Sequence, residues 1–266
     1  MDKKDIVVVV PIYLSTLSPM EAISLKQCLA LLAEYSIVII KPESLDVTGL
    51  QLQYSFSSIE TFPDACFSSL RAYNKLVLDE TFYLRFESYK YMLIYQLDAY
   101  VFKDELLFWA SKEYDYVGAP WVPWTNHYLS WSGKHRLLLK RWFWQRICRQ
   151  KLYNEKYFYY QVGNGGFSLR KIKKMIDITR YYNQEIRDLL ADDRPFLPED
   201  IFLLLNLDNK KHQLKKPRFD EALKFAVEHN PQWAYEYSKK ELPFGCHNWG
   251  DKNMYPFWSN FILCKE

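Results

Sequence analysis

The chain has 266 residues, of which 49% are hydrophobic and 18% aromatic, so it carries material for a large packed core and no compositional case for disorder. Lys and Arg number 35 against 32 for Asp and Glu, and a net charge of +3 gives no global nucleic-acid signature. The five cysteines (Cys28, Cys66, Cys148, Cys246, Cys264) are an odd number without a CxxC pair, which argues against a disulfide framework or zinc knuckle and for a reducing compartment.

The first apolar run, "IVVVVPIY" at residues 6 to 13, is β-branched and unalternating, as a central strand buried on both faces requires. It ends at Pro11, too early for a signal-peptide core, and no stretch approaches the ~20 apolar residues that span a bilayer. The expectation is a soluble, cytoplasmic protein, at most bound to a membrane surface. Ser18 and Pro19 read as N-cap and first helical residue of a helix over residues 20 to 34, and "SIVII" completes a β-α-β unit. Residues 41 to 64, with Pro42, Gly49 and Pro63, read as a loop with a short strand. A helix over residues 69 to 86 leads into the buried strand Tyr91 to Tyr95.

"KDELLFWASKEY" fits a short helix and "DYVGAPW" another buried strand; residues 122 to 151, rich in bases and tryptophan, break the alternation as an insertion. "VGNGGFSLRK" is a glycine-rich turn entering a strand, "KIKKMIDITRYYNQEIRDLL" is helical, and "LPEDIFLLLNL" starts a helix with Pro198 and two acids, as the helix dipole favours. From Pro243 the chain reads as loop or tail. Alternating strands and helices imply one α/β domain over residues 1 to 266, with a mainly parallel central sheet covered by helices on both faces.

Ligands of such sheets bind beyond the carboxyl ends of the strands. Gln96 and Asp98 stand at such an end, where an acid either holds a cation or sugar hydroxyl, or caps a turn. Gly163, Asn164, Gly165 and Gly166 let backbone approach a ligand closely or simply turn tightly. Glu199 and Asp200 either complement a helix dipole or send one carboxylate into a cleft; His247, in "FGCHNW", is either a surface residue or a ligand.

In that order, "LIYQLDAYVF", "DYVGAPW", "VGNGGFSLRK", "PEDIF" and "PFGCHNW" resemble the core of GT-A glycosyltransferases, and more narrowly a bacterial family from surface-polysaccharide gene sets. The resemblance runs from about Tyr73 to Trp249. It implies a GT-A-like fold and inverting transfer of a sugar from a nucleotide-sugar donor to a saccharide or lipid-linked saccharide acceptor. It also implies Asp200 as general base with Glu199 as fallback, and a Mg²⁺ or Mn²⁺ held by Asp98 and His247. Gln96 replaces the first acid of the usual metal motif, and hard cations favour carboxylates and water, so metal use is open at this point. By placement in such a fold, Pro11, Tyr13, Asn74, Lys75, Gln96, Asp98 and the turn Gly163 to Gly166 would bind the donor. A different reading keeps the fold without turnover, as a carbohydrate-binding protein or a peripheral membrane scaffold.

Residues 134 to 151 mix Arg136, Lys140, Arg141, Arg146 and Arg149 with Leu137, Leu138, Leu139, Trp142, Phe143 and Trp144. Such a helix either lies on the inner membrane leaflet or packs its aromatics as a lid. The balanced total charge disfavours nucleic acid.

Overall fold

The computed structural model describes residues 1–124, 129–148, 158–191, 199–207 and 211–262. Strand β1 (Ile6–Pro11) is buried throughout, and its alternate side chains feed two cores. Ile6, Val8 and Val10 pack with Leu25, Cys28 and Trp109 on one face of the sheet; Val7 and Val9 pack with Leu76, Phe82 and Met175 on the other. Both faces being apolar, the strand needs no polar alternation.

Helix α1 (Pro19–Leu31) opens with reciprocal hydrogen bonds: the Glu21 N–H donates to Ser18 Oγ at 3.3 Å, and the Ser18 N–H donates to Glu21 Oε2 at 2.8 Å. It returns the chain to β2 (Ser36–Pro42), parallel to β1. The stretch expected as loop holds helix α2 (Thr48–Gln53) and the edge strand β3 (Ser58–Phe62), parallel to β2. The helix expected over residues 69 to 86 is two helices, α3 (Leu70–Val77) and α4 (Glu80–Leu84). Asp79 starts the second, its Oδ1 accepting from the Thr81 N–H at 2.8 Å.

β4 (Tyr91–Tyr95) lies beside β1, parallel to it. After β5 (Tyr100–Val101), helix α5 (Leu106–Ser111) and β6 (Tyr116–Gly118), the described part of the insertion forms helix α6 (Trp131–Arg146). Residues 125 to 128 and 149 to 151 of the insertion, with Pro198 and Cys264, lie outside the described residues. β7 (Phe167–Lys171) inserts antiparallel between β4 and β6, so the order is β3-β2-β1-β4-β7-β6, mainly parallel as expected. The next helical stretch breaks at Tyr182 into α7 (Ile172–Tyr181) and α8 (Asn183–Ala191). Glu199 and Asp200 open α9 (Glu199–Ile201), whose continuation Phe202–Asn206 is wound as a π-helix.

The chain after Pro243 is not simply a tail. Gly245–Cys246 form β9, which pairs antiparallel with β5 and parallel with β8 (Ala226–Val227) in a second, three-stranded sheet. Trp249 and Trp258 then bury themselves in a third apolar cluster with Leu223, Val227 and Cys246. Gly245 is required where it stands, because a Cβ there would lie 2.5 Å from the Phe167 ring and 2.9 Å from the Tyr100 carbonyl oxygen. Gly245→Val is therefore expected to pry β9 from β5 at a cost of about 2 kcal/mol, a fall of roughly 4–8 °C in melting temperature. An unchanged thermal melt would contradict that packing.

Candidate active site

The small sheet determines which side chains meet. With Tyr100 opposite Cys246 and Val227 beside Cys246, the residues just outside the paired segments, Asp98, His247 and Glu228, are brought together. The His247 N–H donates to the Val227 carbonyl at 3.1 Å, and the Trp249 N–H to the Asp98 carbonyl at 3.2 Å. The imidazole is thereby held between carboxylates: Nε2 lies 3.1 Å from Asp98 Oδ1 and 3.3 Å from Gln96 Oε1, and Nδ1 lies 3.2 Å from Glu228 Oε1.

Asn164 supports the arrangement. Its Oδ1 accepts the Phe167 N–H at 3.0 Å, which directs its amide nitrogen to within 2.8 Å of Nδ1 on the Glu228 side. Burial works against a charged imidazole, yet the Asp98 and Glu228 carboxylates raise the His247 pKa to about 10. Burial likewise works against ionised Glu228, but hydrogen bonding from His247 and the charge of His229 hold it at about 2. Asp98, half-exposed, is drawn below its usual range by His247 despite partial desolvation.

The glycine turn is shaped by the protein's own side chains rather than by open space for a ligand. A Cβ would fall 2.2 Å from the Trp121 ring at Gly163, 1.9 Å from Glu199 Oε1 at Gly165, and 2.1 Å from His247 Nε2 at Gly166. None of these glycines has a positive φ; the left-handed residue is Asn164, at φ 63°. The Gln96 N–H donates to the Gly166 carbonyl at 2.8 Å, which ties the end of β4 to the turn.

Glu199 and Asp200 are both buried, and their surroundings separate their roles. Glu199 Oε1 is 2.8 Å from Arg170 Nη2, an ion pair closed to solvent. Arg170 also donates to Ser168 Oγ, the Tyr83 hydroxyl and the Gly165 carbonyl. The fallback base is thus engaged in holding α9 to β7. Among the described residues Asp200 has no salt-bridge partner, and it accepts the Ile201 N–H at 2.7 Å. Burial, then the charges of Glu199 and Glu228, push its pKa up to about 8.

A cavity of about 390 Å³ opens at the carboxyl ends of β1 and β4, bordered by Pro11, Tyr13, Tyr73, Gln96 and Asp98. β2 lies on one side of β1 and β4 on the other, the switch point where open α/β sheets bind ligands. Asn74 is buried on α3, and Lys75 is exposed there and does not border the cavity. The residue of α3 at the cavity is Tyr73, whose ring borders it while its hydroxyl is closed to solvent beside Gln96, without a hydrogen bond of good geometry among the described residues. Tyr73 and Glu228 carried no motif in the sequence, and Arg170, inside "VGNGGFSLRK", was assigned no role. Glu228 follows a two-residue strand in a stretch without periodic signal, although its place beside His229 is a titratable pair.

Among the described residues no group of three or more His, Cys, Asp or Glu side chains is placed to hold a metal. The available set is smaller: Asp98 Oδ1, His247 Nε2 and Gln96 Oε1 face one another, and Glu228 orients the far ring nitrogen as a supporting carboxylate does. One carboxylate and one amide beside a half-exposed rim suit a divalent cation that keeps positions for water and phosphate oxygens, and the imidazole joins them once the cation displaces its Nε2 proton.

No curated protein matches the chain. Residues 56–247, well over half of it, match the family described as protein of unknown function DUF5672. The chain belongs to DUF5672. Its fold is that of GT-A-like glycosyltransferases of known structure. This DUF5672 protein is similar to core-mannan synthase A of Aspergillus fumigatus in its Mn/GDP form, at TM-score 0.51 and 11% identity over 82% of this chain and 73% of that one. It is similar to apo mouse xyloside xylosyltransferase 1, at TM-score 0.51 and 12% identity over 93% and 98%. It also resembles the apo bifunctional glycosyltransferase WbbM, at TM-score 0.52 and 13% identity over 92% of this chain and 46% of that one. Such identities establish the shared fold.

Arg170→Met would leave Glu199 buried without its cation and is expected to cost about 3–5 kcal/mol in urea denaturation. Arg170→Met combined with Glu199→Leu should recover most of that loss. A double variant as unstable as the single one would contradict the pairing.

Proposed function

We propose that this DUF5672 protein is a GT-A-fold glycosyltransferase. It moves a sugar, with inversion, from a nucleoside diphosphate donor to a hydroxyl of a saccharide or lipid-linked saccharide, within surface-polysaccharide assembly in the cytoplasm. The observation that carries the reading is Asp200: a buried carboxylate, without a salt-bridge partner among the described residues, whose pKa burial and the charges of Glu199 and Glu228 push up to about 8, while Glu228 pairs with His247 and His247 with Asp98 at the cavity. A group that exchanges its proton near neutral pH is suited to general base catalysis.

In this reading the nucleotide lies in the cavity against Pro11, Tyr13 and the ring of Tyr73. Asp98 and His247, with Gln96, would hold a Mg²⁺ or Mn²⁺; the cation would neutralise charge developing on the departing diphosphate. Asp200 takes the proton of the acceptor hydroxyl as its oxygen bonds to the anomeric carbon. The bond from that carbon to the phosphate oxygen breaks on the opposite face. Glu199 and Arg170 keep Asp200 in position. The carboxylate forms in a site where Glu199 and Glu228 already repel it, so its proton affinity is high once ionised.

The direct assay incubates the protein with Mn²⁺ and a panel of nucleotide sugars, with and without saccharide acceptors. The expected result is nucleoside diphosphate release stimulated by acceptor, with a product of inverted anomeric configuration. Release from no donor would leave the non-catalytic reading instead. Asp200→Asn should lower transfer by about 10²–10⁴-fold with donor affinity nearly unchanged. With the folded pKa above the unfolded one, the Asp200 proton stabilises the fold most below about pH 4 and that contribution is lost as pH rises through about 8. The transfer rate should climb over the same upper limb, as Asp200 ionises. A flat rate between pH 6 and about 9 would remove Asp200 from the base role. Tyr73→Ala removes the ring that borders the cavity, so the variant should bind nucleoside diphosphate about 5–10-fold more weakly. Unchanged affinity in a titration would contradict that contact.

A further inference from the structure

We propose that the outward face of α6 is a docking surface for an anionic lipid bilayer. The helix is capped by Ser130, whose Oγ accepts the Gly133 N–H at 3.2 Å, and among the described residues one side of it packs on the protein. Leu137 is buried in the third apolar cluster, Lys134 lies over the Tyr160 ring at 4.6 Å, and Arg141 donates to the Tyr159 carbonyl at 3.0 Å. The opposite side carries Trp131, Leu139, Trp142, Phe143 and Ile147, exposed by 76, 66, 54, 45 and 58%. These are five of the fifteen large hydrophobic residues exposed among the described residues, gathered on a single helix. Scattered exposed apolar residues are ordinary, whereas a gathered set marks an interface.

The charge on that face selects the occupant. Arg136 and Lys140 are exposed beside the aromatics, and no acid occurs from Leu129 to Ile147. A helix of this length runs about 24 Å along a surface, and no helix among the described residues is long and apolar enough to cross a membrane. Aromatic rings at the acyl boundary with bases at the phosphates is the arrangement by which a helix lies in a bilayer interface. A second copy of the chain fits less well, because a two-fold contact would set these bases against each other. The inference stands without the transferase reading, and for that reading it would bring a lipid-linked acceptor to the enzyme.

Cosedimentation of the full chain with phosphatidylcholine vesicles, with and without 30% phosphatidylglycerol, tests it. Binding to the anionic vesicles should be at least tenfold stronger than to the zwitterionic ones and should weaken in high salt. Reversal of both bases (Arg136→Glu with Lys140→Glu) should lower it by about 30-fold. The exposed-face variant Leu139→Ser with Trp142→Ser and Phe143→Ser should lower it by at least fivefold. Both variants alter exposed side chains, so their circular dichroism should match the parent's, and donor hydrolysis should be unaffected. Equal binding to both vesicle types, or binding untouched by both variants, would overturn the proposal. So would a dimer in light scattering that the serine variant converts to monomer without any vesicle binding.

Discussion

The pairing of β9 with β5 and β8 is the constraint on which the rest of the site depends. Each of these strands has only two residues, yet their register carries Asp98, Gln96, His247 and Glu228 from three distant parts of the chain into hydrogen-bonding range. Side chains alternate faces along a strand, so a slip of one residue in β9 would turn the imidazole away from both carboxylates. The short strands are held by what flanks them: the Phe167 ring against Gly245, and Trp249 and Trp258 in the apolar cluster behind.

Around this junction the protein collects buried charge in near balance. Glu199, Asp200 and Glu228 are answered by Arg170 and by His247, and His247 is shared with Asp98. Isolated, any of these ions would cost several kcal/mol to bury, so partners decide which acids stay ionised. Glu228 has His247 and stays far down the scale; Glu199 has Arg170. Asp200 is buried, has the repulsion of both, and so keeps its proton until about pH 8. The raised pKa of Asp200 thus comes from its burial and its neighbours rather than from any feature of its own.

Much of the large sheet was legible in the sequence because its reasons are local. β1, β2 and β4 are apolar runs of buried-strand length, and α1 announces itself by Ser18, Pro19 and Glu21. Asp98 stood out as an acid where an apolar strand ends. The helix over residues 69 to 86 was read through Asp79 and Thr81, which form a cap that local inspection can find. β5, β8 and β9 were not legible, since two residues have no periodicity, and Glu228 owes its place to that long-range pairing. The same limit explains α3, where Asn74 and Lys75 were expected at the donor and Tyr73 borders the cavity: which helix face meets a ligand is set by the partner it packs on. The glycines of the turn were read as room for a ligand, whereas Trp121, Glu199 and His247 fill that room.

The fold and the junction together place a cavity of about 390 Å³ at the carboxyl ends of β1 and β4, with Asp98 and Gln96 on its border and His247 beside them. The most direct test is a crystal grown with Mn²⁺ and a nucleoside diphosphate, examined for the anomalous signal of manganese. The account predicts a peak bonded to Asp98 and His247, with the nucleotide seated between Pro11 and Tyr73. A manganese peak away from both side chains, or a nucleotide bound on another face of the sheet, would contradict it.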